Sequence, residues 1–191
     1  GGSAAANLLF GKANPSGKLT MSFPKSVGQC PIYYNRTVTG RPKTASEEVH
    51  QPYVSGYIDC GNLPLFFFGE GLSYTEFAYD KMILSKNEMT SDDIIIVTVT
   101  IKNIGKRQGK EVVQLYLRDK VSSAVRPIQE LIAFKKVSIE AGLSCEVRFA
   151  ISEPMLRFWN AENKHISEPG DFTLSVGYAD HPYLTEDFRL I

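Results

Sequence analysis

The chain carries no net charge, no long apolar run and few cysteines. Lys plus Arg and Asp plus Glu each number 21 of 191 residues, so nothing in the balance favours nucleic acid or an anionic membrane as partner. No apolar run approaches the length of a spanning helix. Cys30, Cys60 and Cys145 form no Cys-x-x-Cys pair, which argues against a zinc or redox site. As odd, widely spaced thiols they tilt the expected compartment towards the cytoplasm. Cys145 sits within a strand-like alternation and is expected to be a small buried hydrophobe. There is no Gly-x-Ser-x-Gly, His-Glu-x-x-His or phosphate-loop motif, and His50, His165 and His181 are scattered. Neither a triad nor a metal site is expected, and no cofactor. Gly1 to Gly11 lacks the basic and apolar regions of a signal peptide. The sequence starts on Gly, so it is expected to be processed, tagged or truncated, with any targeting segment upstream. Asn35-Arg36-Thr37 is a formal glycosylation sequon, read as a chance occurrence.

What the chain does have is the run Phe66-Phe67-Phe68-Gly69-Glu70-Gly71-Leu72-Ser73-Tyr74-Thr75. Glycine tolerates positive φ and lets backbone approach closely, and three consecutive phenylalanines cannot all face water without cost. The run reads as a tight turn wedged between two bodies of protein. The chain divides there, into residues 1–75 and 76–191.

After the division the pattern is all-β. Ile95, Val97, Val99 and Ile101 recur at period two. Val113, Leu115 and Leu117 alternate with Gln114, Tyr116 and Arg118. Cys145, Val147, Phe149 and Ile151 form a third series, and Phe172, Leu174 and Val176 a fourth. Strict alternation implies one buried and one wet face. Turn signals at 103–105, 141–142 and 169–171 separate the runs. Strands are expected near 78–85, 93–103, 110–119, 129–138, 144–151, 171–179 and 185–190. The fold class is therefore mainly β, an immunoglobulin-like antiparallel sandwich. Residues 154–160 read as a short helical or irregular crossover that buries Trp159. The acidic pairs Asp92-Asp93 and Glu186-Asp187 fall at expected strand ends, where charge blunts an edge.

Residues 1–75 differ. Ala4 to Phe10 suit a helix with Gly11 as its C-cap. Asn14 to Gly17 form a turn, and Leu19, Met21 and Phe23 alternate as a strand ended by Pro24. A mostly irregular course punctuated by Pro31, Pro42, Pro52 and Pro64 follows. One helix, one strand and a long loop cannot make a core, so this part reads as the tail of a preceding α/β domain.

Leu8 to Gly11, Asn14-Pro15-Ser16-Gly17-Lys18-Leu19, Phe23-Pro24 and Thr39-Gly40-Arg41-Pro42 resemble the closing segments of the α/β sandwich domain of glycoside hydrolase family 3, the β-glucosidase and β-xylosidase family. Gly69, Gly71, Ser73 and Tyr74 belong to a junction that resembles the family's Pro-Phe-Gly-x-Gly-Leu-Ser-Tyr-Thr signature. Asn103, Gly105, Gly109, Val112 to Tyr116, Arg126-Pro127, Leu131, Phe134, Lys136, Phe158-Trp159 and Glu168 to Gly170 resemble its fibronectin type III-like domain. Phe66-Phe67-Phe68 replaces the more usual Tyr-Pro-Phe, and Ala133 stands where glycine is common.

The resemblance implies a parent enzyme that hydrolyses β-linked glycosides with retention. That chemistry needs two carboxyl groups about 5–5.5 Å apart, and in the family both lie upstream of the Asn-Pro-Ser-Gly-Lys-Leu segment. No residue here matches either motif, so no catalytic residue is assigned and the chain alone is expected to be inactive. Its partners would be the upstream catalytic domains of the same polypeptide. Asp59, Tyr57 and Arg41, in the loop over 36–60, are candidates for a substrate-adjacent role. For Asp59 and Glu70 the alternative is turn capping. Tyr33, Tyr34, Tyr53 and Tyr57 either line a sugar site or pack on a missing domain. The alternative for the whole chain is a free-standing carbohydrate-binding or protein-interaction sandwich. Ala4 to Phe10, Leu19 to Phe23 and Phe66 to Phe68 should leave an apolar surface, and the isolated chain should self-associate through it.

Overall fold

In the computed structural model, residues 1–41 and 52–191 are described. Pro42 and His50 lie outside them. Helix α1 spans Gly2–Leu9. Ten strands follow: β1 (Phe77–Leu84), β2 (Glu88–Met89), β3 (Ile94–Asn103), β4 (Gly109–Asp119), β5 (Glu130–Ile139), β6 (Ser144–Ser152), β7 (Phe158–Trp159), β8 (His165–Ile166), β9 (Gly170–Tyr178) and β10 (His181–Leu190). One sheet has the order β1-β3-β6 and the other β2-β10-β9-β4-β5, while β7 and β8 form a separate hairpin. Every named pairing is antiparallel except the short parallel contact of β2 with β10. This is the two-sheet sandwich expected from the alternation.

The facing side chains make the core. Ile95, Val97, Val99 and Ile101 of β3 meet Val113, Leu115 and Leu117 of β4, Val147, Phe149 and Ile151 of β6, and Phe172, Leu174 and Val176 of β9 in one buried cluster. Phe172 stacks on Phe188 with centroids 5.3 Å apart. Burial of an aliphatic or aromatic side chain of this size contributes about 1.5–3 kcal/mol. Cys145 only packs against the rim of the cluster, half-buried.

Four expectations need correction. The outer face of β4 is not wet, because Gln114 and Tyr116 are buried as fully as the core. Residues from before position 75 cover them. Trp159 is not buried but 64% exposed: a single 3-10 turn over Glu153–Leu156 sends Leu156 into the core and Trp159 outward onto the β7–β8 hairpin. Glu186 and Asp187 lie within β10, which starts at His181 and is irregular between Pro182 and Leu184. Asp187 pairs there with Lys120 at 2.6 Å. Leu19 to Phe23 form no regular strand, although Leu19 and Phe23 exchange backbone hydrogen bonds with residues 65–70.

Among the described residues, none before Met82 belongs to the buried apolar cluster. In the described part of residues 1–75 only Gln29, Gly61, Pro64 and Gly69 are buried. Helix α1 buries nothing and has no capping side chain. Gly11, at φ 70°, ends it as anticipated.

Asn103, fully buried at the end of β3, closes the sandwich on this side. Its amide donates to the carbonyls of Arg107 (2.7 Å) and Ile139 (2.9 Å), and its oxygen accepts from Thr75 Oγ1 (2.6 Å) and Gly105 N–H (3.1 Å). Asn103→Ala removes all four bonds and strands buried partners. It is expected to destabilise the chain by about 2–4 kcal/mol, read as a lowered midpoint in urea unfolding.

Candidate functional site

The sequence motifs converge on the seam between the first 75 residues and the sandwich. Asn14 is its polar hub. Its side-chain oxygen accepts from Ser73 Oγ (2.9 Å) and Tyr74 N–H (2.8 Å), and its amide donates to the Gln108 carbonyl (3.2 Å). The Tyr74 hydroxyl donates to the Leu8 carbonyl at 2.7 Å, fixing the end of α1. Pro15, Ser16 and Gly17 form the wall of an apolar cleft of about 820 Å³, with Leu8, Leu19, Phe23, Phe66 and Leu72.

Two glycines make the seam close. Gly69 has φ 81°, and any Cβ there would overlap the Gln114 carboxamide. Gln114 donates to the Gly69 carbonyl at 2.9 Å and accepts from the Tyr116 hydroxyl at 2.9 Å. The Gly71 Cα packs on the Gly17 carbonyl and leaves no room for a side chain. Phe68 stacks on Tyr34 at 4.0 Å, and Tyr34 meets Tyr116 edge-on. Phe67 packs on Tyr178, whereas Phe66 stays exposed against Phe23. Of the three phenylalanines, Phe67 packs on the sandwich directly, Phe68 packs on Tyr34, which meets Tyr116 of β4, and Phe66 does neither.

A titratable cluster crosses the same seam. Lys18 pairs with buried Glu111 at 3.1 Å, and Glu111 accepts from the Tyr79 hydroxyl at 3.0 Å. Tyr79 in turn packs on Tyr183. Burial, then the Glu111 charge, pushes the Tyr79 phenol far above its ordinary range. Burial also raises Tyr116, and it raises Tyr183 to about 12.

The candidate substrate-adjacent residues are only partly brought together. The Tyr57 hydroxyl donates to the Pro31 carbonyl at 2.5 Å. Its ring lines a cleft of about 240 Å³ with Ser22, Tyr33, Thr39, Asn62 and the Arg36–Asp180 ion pair. Arg41 is exposed, and its carbonyl accepts from Ser55 N–H at 2.7 Å. Asp59 is exposed and stands against Gly28. Glu70 turns its carboxylate back to the Phe67 N–H at 2.8 Å, which is turn capping. Tyr53 is exposed with φ 64°. Sequence reasoning missed Arg36 and Asp180, which are 144 positions apart and carried no motif. Buried Gln29, which bonds Lys25 N–H and the Gly61 and Leu63 carbonyls, also escaped it. Four clefts lined by described residues each have at most one carboxylate on their walls. No paired general acid and nucleophile is assembled within any of them.

The sequence profile of the glycosyl hydrolase family 3 C-terminal domain matches residues 1–74, and that of the fibronectin type III-like domain matches residues 111–179. The chain belongs to glycosyl hydrolase family 3, to its C-terminal part. It is 44% identical over 177 residues to the periplasmic beta-glucosidase of Salmonella typhimurium, covering 93% of this chain and 23% of that protein. It is 40% identical over 176 residues to a beta-xylosidase of Formosa agariphila, covering 92% of this chain and 23% of the relative. The crystal structure of beta-glucosidase from Listeria innocua in complex with isofagomine superimposes with a TM-score of 0.91 at 41% identity, over 99% of this chain and 26% of that one. The chain thus spans about a quarter of the length of the family 3 proteins that it matches.

The raised phenols give a pH dependence. The neutral phenol is favoured in the fold, so this stabilisation is fully present below about pH 10, the free-tyrosine value. It is lost as pH rises towards the folded Tyr183 value of about 12. Alkaline unfolding is expected to set in between these limits, with tyrosinate absorbance and loss of far-ultraviolet ellipticity rising together. Tyr79→Phe, which cannot ionise, should shift that transition. Tyrosine ionisation that is complete before any unfolding would contradict the account.

Proposed function

We propose that this chain is the accessory end of a retaining β-glycosidase, acting on β-glucosides, whose catalytic carboxylates lie in the upstream part of the same polypeptide. The observation that carries the reading is the apolar face of the first 75 residues. Leu9, Phe10, Met21, Phe23, Phe66 and Leu72 are exposed beside a sandwich whose own core is complete. A contiguous apolar face of this kind marks an interface. The division at residue 75 gives each part a role: residues 1–75 finish the upstream α/β domain, and residues 76–191 brace it. The share of length matched in the family 3 relatives supports this.

The loop over 36–60 is where the chain reaches the substrate in this reading. Tyr57, Asp59 and Arg41 border the path of the glycoside, and Tyr57 shares its cleft with the Arg36–Asp180 ion pair. Small clefts with a few convergent polar groups and aromatic walls suit sugars.

Two outcomes follow. The longer polypeptide that carries this sequence should hydrolyse aryl β-glucosides with retention, and the 191-residue chain should not. Within that polypeptide Arg41→Ala or Tyr57→Phe should raise KM up to about tenfold with kcat little changed. Activity of the isolated chain would overturn the assignment. The isolated chain should also self-associate through the apolar face in sedimentation velocity, and Phe10→Ser with Met21→Ser should disperse it. A monodisperse monomer at high concentration would contradict that use of the face.

A further inference from the structure

Trp159, the chain's single tryptophan, is 64% exposed, and its position is not explained by the apolar docking face. The hairpin that carries it follows β6, which ends at Ser152 opposite Ile94, the first residue of β3. The contacts of α1 and its exit loop, Gly11 with Arg107 and Asn14 with Gln108, lie beyond Asn103 at the other end of β3. Ten residues of strand separate those ends, about 30 Å.

The ring is held in place. Trp159 pairs with His165 across the β7–β8 register, and the two rings stack with centroids 5.0 Å apart at 28°. Such cross-strand pairs fix side-chain orientation. The turn is locked by Asn160, whose side-chain oxygen accepts the N–H of Glu162 (3.0 Å) and Lys164 (2.9 Å). Asn163 supplies the left-handed residue, φ 59°. At the base, Arg126 lies 5.1 Å over the Phe158 ring and donates to the Leu156 carbonyl. Glu153 holds both Arg157 and Ser167. The result is a rigid arm that presents one large aromatic surface.

We propose that the β7–β8 hairpin presents Trp159, braced by His165, as a stacking platform for a β-linked glucan chain. This rests on the glycosidase reading for its ligand class. A β-glucopyranose unit has every substituent equatorial, so its axial C–H bonds form an apolar face. Their slightly positive hydrogens match the electron-rich face of an indole. A pre-ordered aromatic gives large contact area at low entropic cost. The site would hold polymeric substrate near the enzyme without touching the reacting bond.

The test uses the 191-residue chain with laminarihexaose and cellohexaose. Tryptophan emission reports Trp159 alone. It should shift saturably to the blue with these oligosaccharides. In affinity electrophoresis on soluble β-glucan, Trp159→Ala should weaken retardation at least about tenfold, while Trp159→Tyr keeps most of it, with folding checked by far-ultraviolet ellipticity. No emission shift, or unchanged retardation of Trp159→Ala, would overturn the platform. Hydrolysis of a small aryl glucoside by the longer polypeptide is read separately, so failure here leaves the glycosidase reading standing.

Discussion

Gln114, on the outer face of β4, donates its buried amide to the Gly69 carbonyl, and the placing of residues 1–75 depends on that contact. Among its described residues, the first part of the chain has no apolar core of its own. Polar bonds across a seam therefore do what burial does elsewhere: Gln114 to Gly69, Thr75 to Asn103, and Asn14 to Gln108. Such bonds are individually modest but costly to break once their groups are out of water. They also demand close approach, and the glycines at 69 and 71 permit it. The seam holds one face of the first 75 residues against the sandwich and leaves the opposite, apolar face open.

The sandwich was legible because alternation is a geometric property of strands. The inward sets of β3, β6 and β9 follow directly from it. The burial of Gln114 and Tyr116 was not legible, since the groups that cover them, Tyr34, Phe68 and Gly69, lie far away in sequence and share no period with β4. Trp159 misled because large aromatics usually lie in cores, and strands of two residues are too short to show which way a side chain faces. Glu186 and Asp187 were misplaced because the irregularity at Pro182 hides the first turns of β10. At the seam, Asn14, Gly17, Gly69 and Gly71 were readable from turn chemistry and glycine spacing, and Ser73 only from the resemblance to the family signature. The Arg36–Asp180 pair was not, since a single ion pair between distant loops leaves no local pattern.

The arrangement separates tasks. In the proposed reading, upstream residues supply the carboxylates, the seam supplies a rigid attachment, and the cleft at Tyr57 and the β7–β8 hairpin meet substrate. A chain without net charge gives no long-range steering, so recognition of a neutral sugar would rest on stacking and hydrogen bonds, the interactions these loops offer.

Hydrogen exchange compares the open face in the two contexts most directly. Amides of α1 and of residues 19–23 should exchange quickly in the 191-residue chain under conditions that keep it monomeric. They should become strongly protected in the longer polypeptide, while β3, β4 and β9 stay equally protected in both. Equal, fast exchange of α1 in both contexts would mean that nothing upstream covers this face, and would contradict the account.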